Sequence, residues 1–185
     1  MKSIYESVNT RNALVFAAKA HEGQVRKYTN EPYITHSMAV AEMLLEHGVE
    51  DPEMHAAALL HDTVEDTAVT QEEIDEKFGT KVSLLVYGMT KLELPGVNRA
   101  KRKEIEALRL AKASRKVQVI KYADLLHNMK SIVEHDPKFA EVFVREARVL
   151  NNVMEKGAIV CESLRIELEH ALWAYARAND DEGDE

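Results

Sequence analysis

The stretch AALLHDTVEDT, residues 57 to 67, ends an apolar run with His61, Asp62, Glu65 and Asp66. On a helical wheel that starts at His61, Glu65, Asp62 and Asp66 fall at roughly 40°, 100° and 140°. Ala57, Leu60 and Val64 fall on the other side. A continuous helix would therefore pack through its alanine–leucine face and present four ionisable groups on another. A solvated helix face ordinarily carries Lys or Arg one turn from its acids. Residues 50 to 76 contain neither. Three carboxylates and an imidazole repel one another in two turns without a local cation, and a divalent ion relieves that conflict.

One His and one Asp are too few ligands for such an ion. His36 opens a helix just after Pro32, and Asp124 lies in KYADLLHNMKS, inside a helix that otherwise reads as core. Two imidazoles and two carboxylates suit Mn²⁺, Fe²⁺ or Zn²⁺. His61 and Asp62 are adjacent, so on a regular helix they diverge by about 100° and meet only at an ion seated above the helix between them. An ion with open positions takes up water there and makes it a better nucleophile.

The elements that position these residues are helices. Asn9 or Thr10 caps a first helix through Ala20, closed by Gly23. GQVRKYTNEPYITH is a loop, broken by Thr29, Asn30 and Pro32. A second helix runs from about Thr35 to His47 before Gly48. Asp51-Pro52 is N-cap and first position of a third, expected to run on through Asp66. Thr70 with Glu73 forms a capping box for a fourth, ended by Gly79, and a fifth spans 81–89. Further helices are expected over 99–113, with a basic first turn (Arg99, Lys101, Arg102, Lys103), over 116–135, over 137–156 with a break at Gly157, and on to about Ala178. No alternating strand pattern persists. The reading is an all-α bundle with short loops, one domain over residues 1–179.

The chain has 185 residues, 45% hydrophobic and 30% charged, with net charge -8. Asp180 to Glu185 hold five acids and are expected to form a disordered tail. An acidic balance argues against non-specific nucleic-acid binding. Cys161 is the only cysteine, which suits a reducing compartment. The N-terminal residues lack a signal-peptide core, and no apolar run approaches the ~18 residues of a membrane span. A cytoplasmic location and no membrane partner are expected. P-loop, dinucleotide-binding, nucleophile-elbow and H-E-x-x-H motifs are all absent from the sequence.

Five stretches, AHEGQVRKYTNEPYITH, AALLHDTVEDT, FGTKVSLLVYGMTKL, NRAKRKEIEAL and KYADLLHNM, occur in this order over roughly residues 10 to 157. Together they resemble the HD-domain phosphohydrolases, and more narrowly the hydrolase domain of the RelA/SpoT alarmone enzymes and the stand-alone small alarmone hydrolases. The resemblance implies an HD-domain helical bundle that holds one Mn²⁺ ion, with Fe²⁺ or Zn²⁺ as alternatives, on His36, His61, Asp62 and Asp124. It implies that Glu65 and Asp66 act on the hydrolytic water and its protons. It places Arg26 and Lys27 on phosphates and Asn128 in the substrate pocket, with Ser131 on the same helix face. Departures are Tyr28-Thr29-Asn30, where many members carry a small Ser-Gly pair, and Leu125, where many carry a basic residue. The implied reaction removes the 3′-pyrophosphate of (p)ppGpp, giving GDP or GTP. The alternatives are a phosphatase acting on NADPH or another nucleotide, and a non-catalytic alarmone-binding module.

Overall fold

The computed structural model describes residues 3 to 180. They fall into two compact units, divided between Leu94 and Pro95. Among them there is no strand, only a single bridge between Val25 and Pro32. Among the described residues no helix is long and apolar enough to cross a membrane. The all-α expectation holds.

The first unit begins with a 3-10 turn over Ile4–Glu6, capped by Ser3. Helix α1 spans Val8–Ala20. Its cap is Ser7, which accepts from the Thr10 N–H, and not Asn9 or Thr10 as expected. The 3-10 turn brings the chain in earlier and leaves Thr10 buried inside the helix. Helix α2 is Ile34–Glu46, α3 Pro52–Leu60, α4 Thr63–Asp66, α5 Gln71–Phe78 and α6 Thr80–Met89. Asp51 and the Thr70–Glu73 pair cap α3 and α5 as expected.

Helix α3 organises this unit. It packs against α1, α2 and α6 and is buried from Met54 to Leu60. A helix buried on all sides is a core helix, and α3 past its first turn has no solvent face. The helix expected to continue through Asp66 is two helices, broken at His61 and Asp62. Side-chain donors claim carbonyls just before the break: His61 Nδ1 lies 2.7 Å from the Ala58 carbonyl oxygen, and the Thr63 hydroxyl donates to that of Leu60 at 2.7 Å. Such back-bonding competes with the regular ladder. The chain resumes as α4 after Asp62, at φ -98° and ψ -5°.

The loop between α1 and α2 is closed on itself by Arg26 N–H to the Glu31 carbonyl (2.8 Å) and Asn30 N–H to the Arg26 carbonyl (3.1 Å). Asn30 sits at φ 58°, a left-handed conformation that Asn tolerates better than most residues.

In the second unit α7 spans Arg99–Lys112, α8 Arg115–His135, α9 Pro137–Val153, α10 Glu155–Ala158 and α11 Glu162–Asp180. Helix α8 is the core, buried without interruption from Val117 to Leu126, with α9, α10 and α11 packed on it. The expected helix 137–156 ends at Val153, and the break falls at Met154 rather than Gly157. Gly157 lies inside α10 for a packing reason. A Cβ there would meet Tyr122 Cε2 at 2.7 Å and Gln118 Cβ at 2.9 Å. Of the expected acidic tail, residues 181–185 lie outside the described residues, and Asp180 ends α11.

Candidate active site

The break after α3 changes how His61 and Asp62 relate. Instead of diverging, His61 Nε2 and Asp62 Oδ2 approach to 3.0 Å. His36, on the first turns of α2, brings its Nε2 to 3.7 Å from the same oxygen, and the two imidazole rings lie 5.2 Å apart. Both histidines are buried. A carbonyl can only accept, so the contact with Ala58 puts a hydrogen on Nδ1 and leaves Nε2 as the ring atom that faces Asp62. A carbonyl on the far ring nitrogen is how metal-binding histidines are commonly oriented.

In the second unit Asp124 is buried on α8. Its Oδ1 accepts from Asn128 Nδ2 at 2.6 Å and its Oδ2 from Lys121 Nζ at 2.8 Å. Asn128, expected on substrate, thus holds Asp124. Ser131 follows on the same face of α8, half-buried, with its carbonyl accepting from His135 Nδ1 at 2.9 Å. Within the first unit His36, His61 and Asp62 bring donor atoms together, and in the second Asp124 is a buried carboxylate of the kind a metal ion takes. Neutral imidazoles with carboxylates are a donor set that fits a borderline divalent ion.

The acids beyond the break are not without cations, as the sequence read locally suggested. Lys91 follows α6 and donates to Glu65 twice, from Nζ to Oε1 at 2.6 Å and from the backbone N–H to Oε2 at 3.1 Å. Lys121 does the same service for Asp124. Charge repulsion therefore calls for a metal less than the local sequence implied, and the converging donor atoms of His36, His61 and Asp62 call for it more. Partial burial raises the Asp66 carboxyl above the ordinary range, and the Asp62 and Glu65 carboxylates push the same way. Lys91 and the nearby Tyr33 hydroxyl oppose them. Asp66 is open to solvent on one side, which screens these effects.

Arg26 and Lys27 lie in the loop before α2. The Arg26 guanidinium sits 5.8 Å from the centre of the Tyr33 ring. Lys27 Nζ donates to the Tyr28 hydroxyl at 3.0 Å. Tyr33 is the residue the sequence reading passed over: its hydroxyl donates to Asp62 Oδ2 at 2.6 Å. Its position three residues before His36 was the available signal. His21 stacks on Tyr33 with ring centres 4.6 Å apart.

The basic start of α7 is largely engaged within its own unit. Arg99 makes a two-pronged contact with Glu146 at 2.8 Å on each side. Lys103 reaches Glu106 at 2.8 Å and Glu146 at 3.7 Å, and Lys101 pairs with Glu104 at 2.8 Å. Glu106 lies 3.8 Å from Lys121 Nζ, so this row of charges leads to Asp124.

A family model described as HD domain matches residues 13–150, and the chain belongs to that family. The match crosses the division at Leu94. A GTP pyrophosphokinase of Myxococcus xanthus is 33% identical over 179 residues, 90% of this chain and 23% of that protein. A guanosine-3′,5′-bis(diphosphate) 3′-pyrophosphohydrolase of Haemophilus influenzae is 39% identical over 122 residues, 64% of this chain and 18% of that one. The chain thus spans less than a quarter of either relative. A solved structure, described as a metazoan ortholog of SpoT that hydrolyzes ppGpp and plays a role in starvation responses, superposes with TM-score 0.82 at 27% identity. It covers 92% of this chain and 97% of that one.

Proposed function

We propose that this chain hydrolyses the 3′-pyrophosphate of (p)ppGpp, releasing pyrophosphate and leaving GDP or GTP, with one Mn²⁺ ion held by His36, His61, Asp62 and Asp124. The observation that carries this is the meeting of His36 Nε2, His61 Nε2 and Asp62 Oδ2 in an HD domain. The likeness to a ppGpp-hydrolysing structure along almost its whole length selects the substrate class. The family match across both units supports a single domain over 1–179.

When bound, such an ion polarises a phosphoryl oxygen and makes water acidic enough to attack at neutral pH. The chain's own residues do the rest. Glu65, fixed by Lys91, orients the attacking water as an acceptor. Asp66, the carboxyl pushed upward, takes and returns the proton. Arg26 and Lys27 neutralise the substrate phosphates. Asn128 and Ser131, on one face of α8, border the nucleotide, and Asn128 also steadies Asp124. The substrate is a small nucleotide, and a cytoplasmic location belongs to the same reading.

Two variants test the assignment by differing in kind. Asp62→Ala is expected to lose bound Mn²⁺ and with it nearly all turnover. Glu65→Gln is expected to bind Mn²⁺ normally and lose at least about a hundred-fold in kcat. A Glu65→Gln protein with full kcat contradicts the role of Glu65. Asp62→Ala with wild-type Mn²⁺ affinity contradicts the ligand set.

A further inference from the structure

Tyr33 touches four groups to which the proposed function gives a role. Its hydroxyl donates its one hydrogen to Asp62 Oδ2 at 2.6 Å and lies beside Asp66. Its ring meets the His36 ring edge-on at 5.8 Å, and the Arg26 guanidinium lies over it.

The ring is held from behind. Gln24 Nε2 donates to the backbone carbonyl of Asp66 at 2.8 Å, which turns Gln24 Oε1 towards His21 Nδ1 at 2.7 Å. An amide oxygen only accepts, so His21 carries its hydrogen on Nδ1 and its ring plane is fixed. That ring, 3% exposed, stacks on Tyr33 at 26° between planes. The Tyr33 N–H closes the loop on the Gln24 carbonyl at 2.9 Å. One chain of contacts thus runs from the Asp66 backbone through Gln24 and His21 to the phenol that meets Asp62.

The oxygen it holds matters. Asp62 Oδ2 is the atom that faces both His61 Nε2 and His36 Nε2. A carboxylate turns readily about its last torsion, and a short charge-assisted hydrogen bond restrains it. We propose that Tyr33 is a positioning residue: its hydroxyl fixes the Asp62 carboxylate in the orientation that meets His36 and His61, and its ring, buttressed by His21 and Gln24, is the part that keeps the hydroxyl there. This rests on the reading of Asp62 as a metal ligand. Groups that hydrogen-bond a ligating side chain are commonly worth ten- to a hundred-fold in metal affinity.

The test compares Tyr33→Phe with the wild-type full chain, since Phe keeps the stack and removes only the hydroxyl. Mn²⁺ dissociation constants are measured by titration on metal-free protein, with no substrate present. The expected result is about ten-fold weaker Mn²⁺ binding, an unchanged melting temperature without metal, and most of kcat recovered at saturating Mn²⁺. His21→Ala, which removes the buttress but leaves the hydroxyl, is expected to weaken Mn²⁺ less, in the same direction. Unchanged Mn²⁺ affinity in Tyr33→Phe overturns the inference. A raised KM with unchanged Mn²⁺ affinity does so as well, by making Tyr33 a substrate contact. Asp62→Ala run in parallel separates the two claims: if it binds Mn²⁺ like wild type, the ligand reading has failed and not merely the role of Tyr33.

Discussion

Lys91 grips Glu65 by both carboxylate oxygens, the ammonium on Oε1 at 2.6 Å and the backbone N–H on Oε2 at 3.1 Å. The two residues are 26 apart in sequence, and Lys91 arrives at the acidic turn because α5 and α6 fold the chain back. The ammonium is half exposed, so the pair adds little to stability, about 1 kcal/mol or less. Its consequence is orientation.

Lys91→Met is therefore expected to lower kcat about ten-fold with KM and Mn²⁺ affinity unchanged, because one of two holds on Glu65 remains. Lys91→Arg is expected to recover part of the rate. Steady-state kinetics on ppGpp check this. A rise in KM with normal kcat would instead make Lys91 a phosphate contact.

The basic start of α7 is expected to be structural. Arg99→Gln breaks the two-pronged contact with Glu146 and should cost about 1 kcal/mol in a urea titration. The KM for ppGpp should stay as in wild type. A several-fold higher KM with normal stability would assign Arg99 to substrate.

Gly157→Ala is expected to destabilise by about 1–3 kcal/mol, the usual range for overpacking. The added methyl would lie 2.7 Å from Tyr122 Cε2. That ring cannot withdraw freely, because its hydroxyl is bonded to the Met154 carbonyl. Thermal melting checks this, and an unchanged melting temperature would show that α10 yields.

His55 gives a pH dependence with a defined sign. Its ring is buried with Nε2 on the Val49 carbonyl at 2.7 Å. Burial lowers its pKa, opposed by the Val49 contact and by Asp51. The folded protein then binds fewer protons than the unfolded chain below the ordinary histidine value. The stabilisation is complete above about pH 6.5 and declines as the pH falls through it. Urea midpoints of metal-free protein between pH 8 and 5 should fall below pH 6.5, and less steeply in His55→Gln. Equal slopes would exclude His55 as the source.

Much of the fold could be read from helix ends. Asp51-Pro52, the Thr70–Glu73 box, Gly48 and Gly79 are local signals, and the helices they bound begin and stop where those residues stand. The break at His61 and Asp62 has no Pro or Gly to announce it. It depends on His61 and Thr63 taking carbonyls that a regular helix would use. The Gly157 position misled for the opposite reason: its cause is the Tyr122 ring packed against it, which periodicity does not show. In the site, His36, His61, Asp62, Glu65, Asp66 and Asp124 stood out by residue type and spacing. Tyr33, Lys91 and Lys121 did not. A phenol and an ammonium group look like ordinary surface material until the fold brings them to Asp62 and Glu65, whereas Lys121 stands one helical turn from Asp124 on α8 and is hidden only by reading that helix as core.

The most direct test of the central claim is the product made from ppGpp as metal is removed and restored. Protein stripped by chelation should be inactive. Added Mn²⁺ should restore turnover, with one pyrophosphate released per GDP formed and little activity on NADPH. Orthophosphate as the product, or full activity after stripping, would contradict the account, as would tight binding of ppGpp with no turnover at any Mn²⁺ concentration.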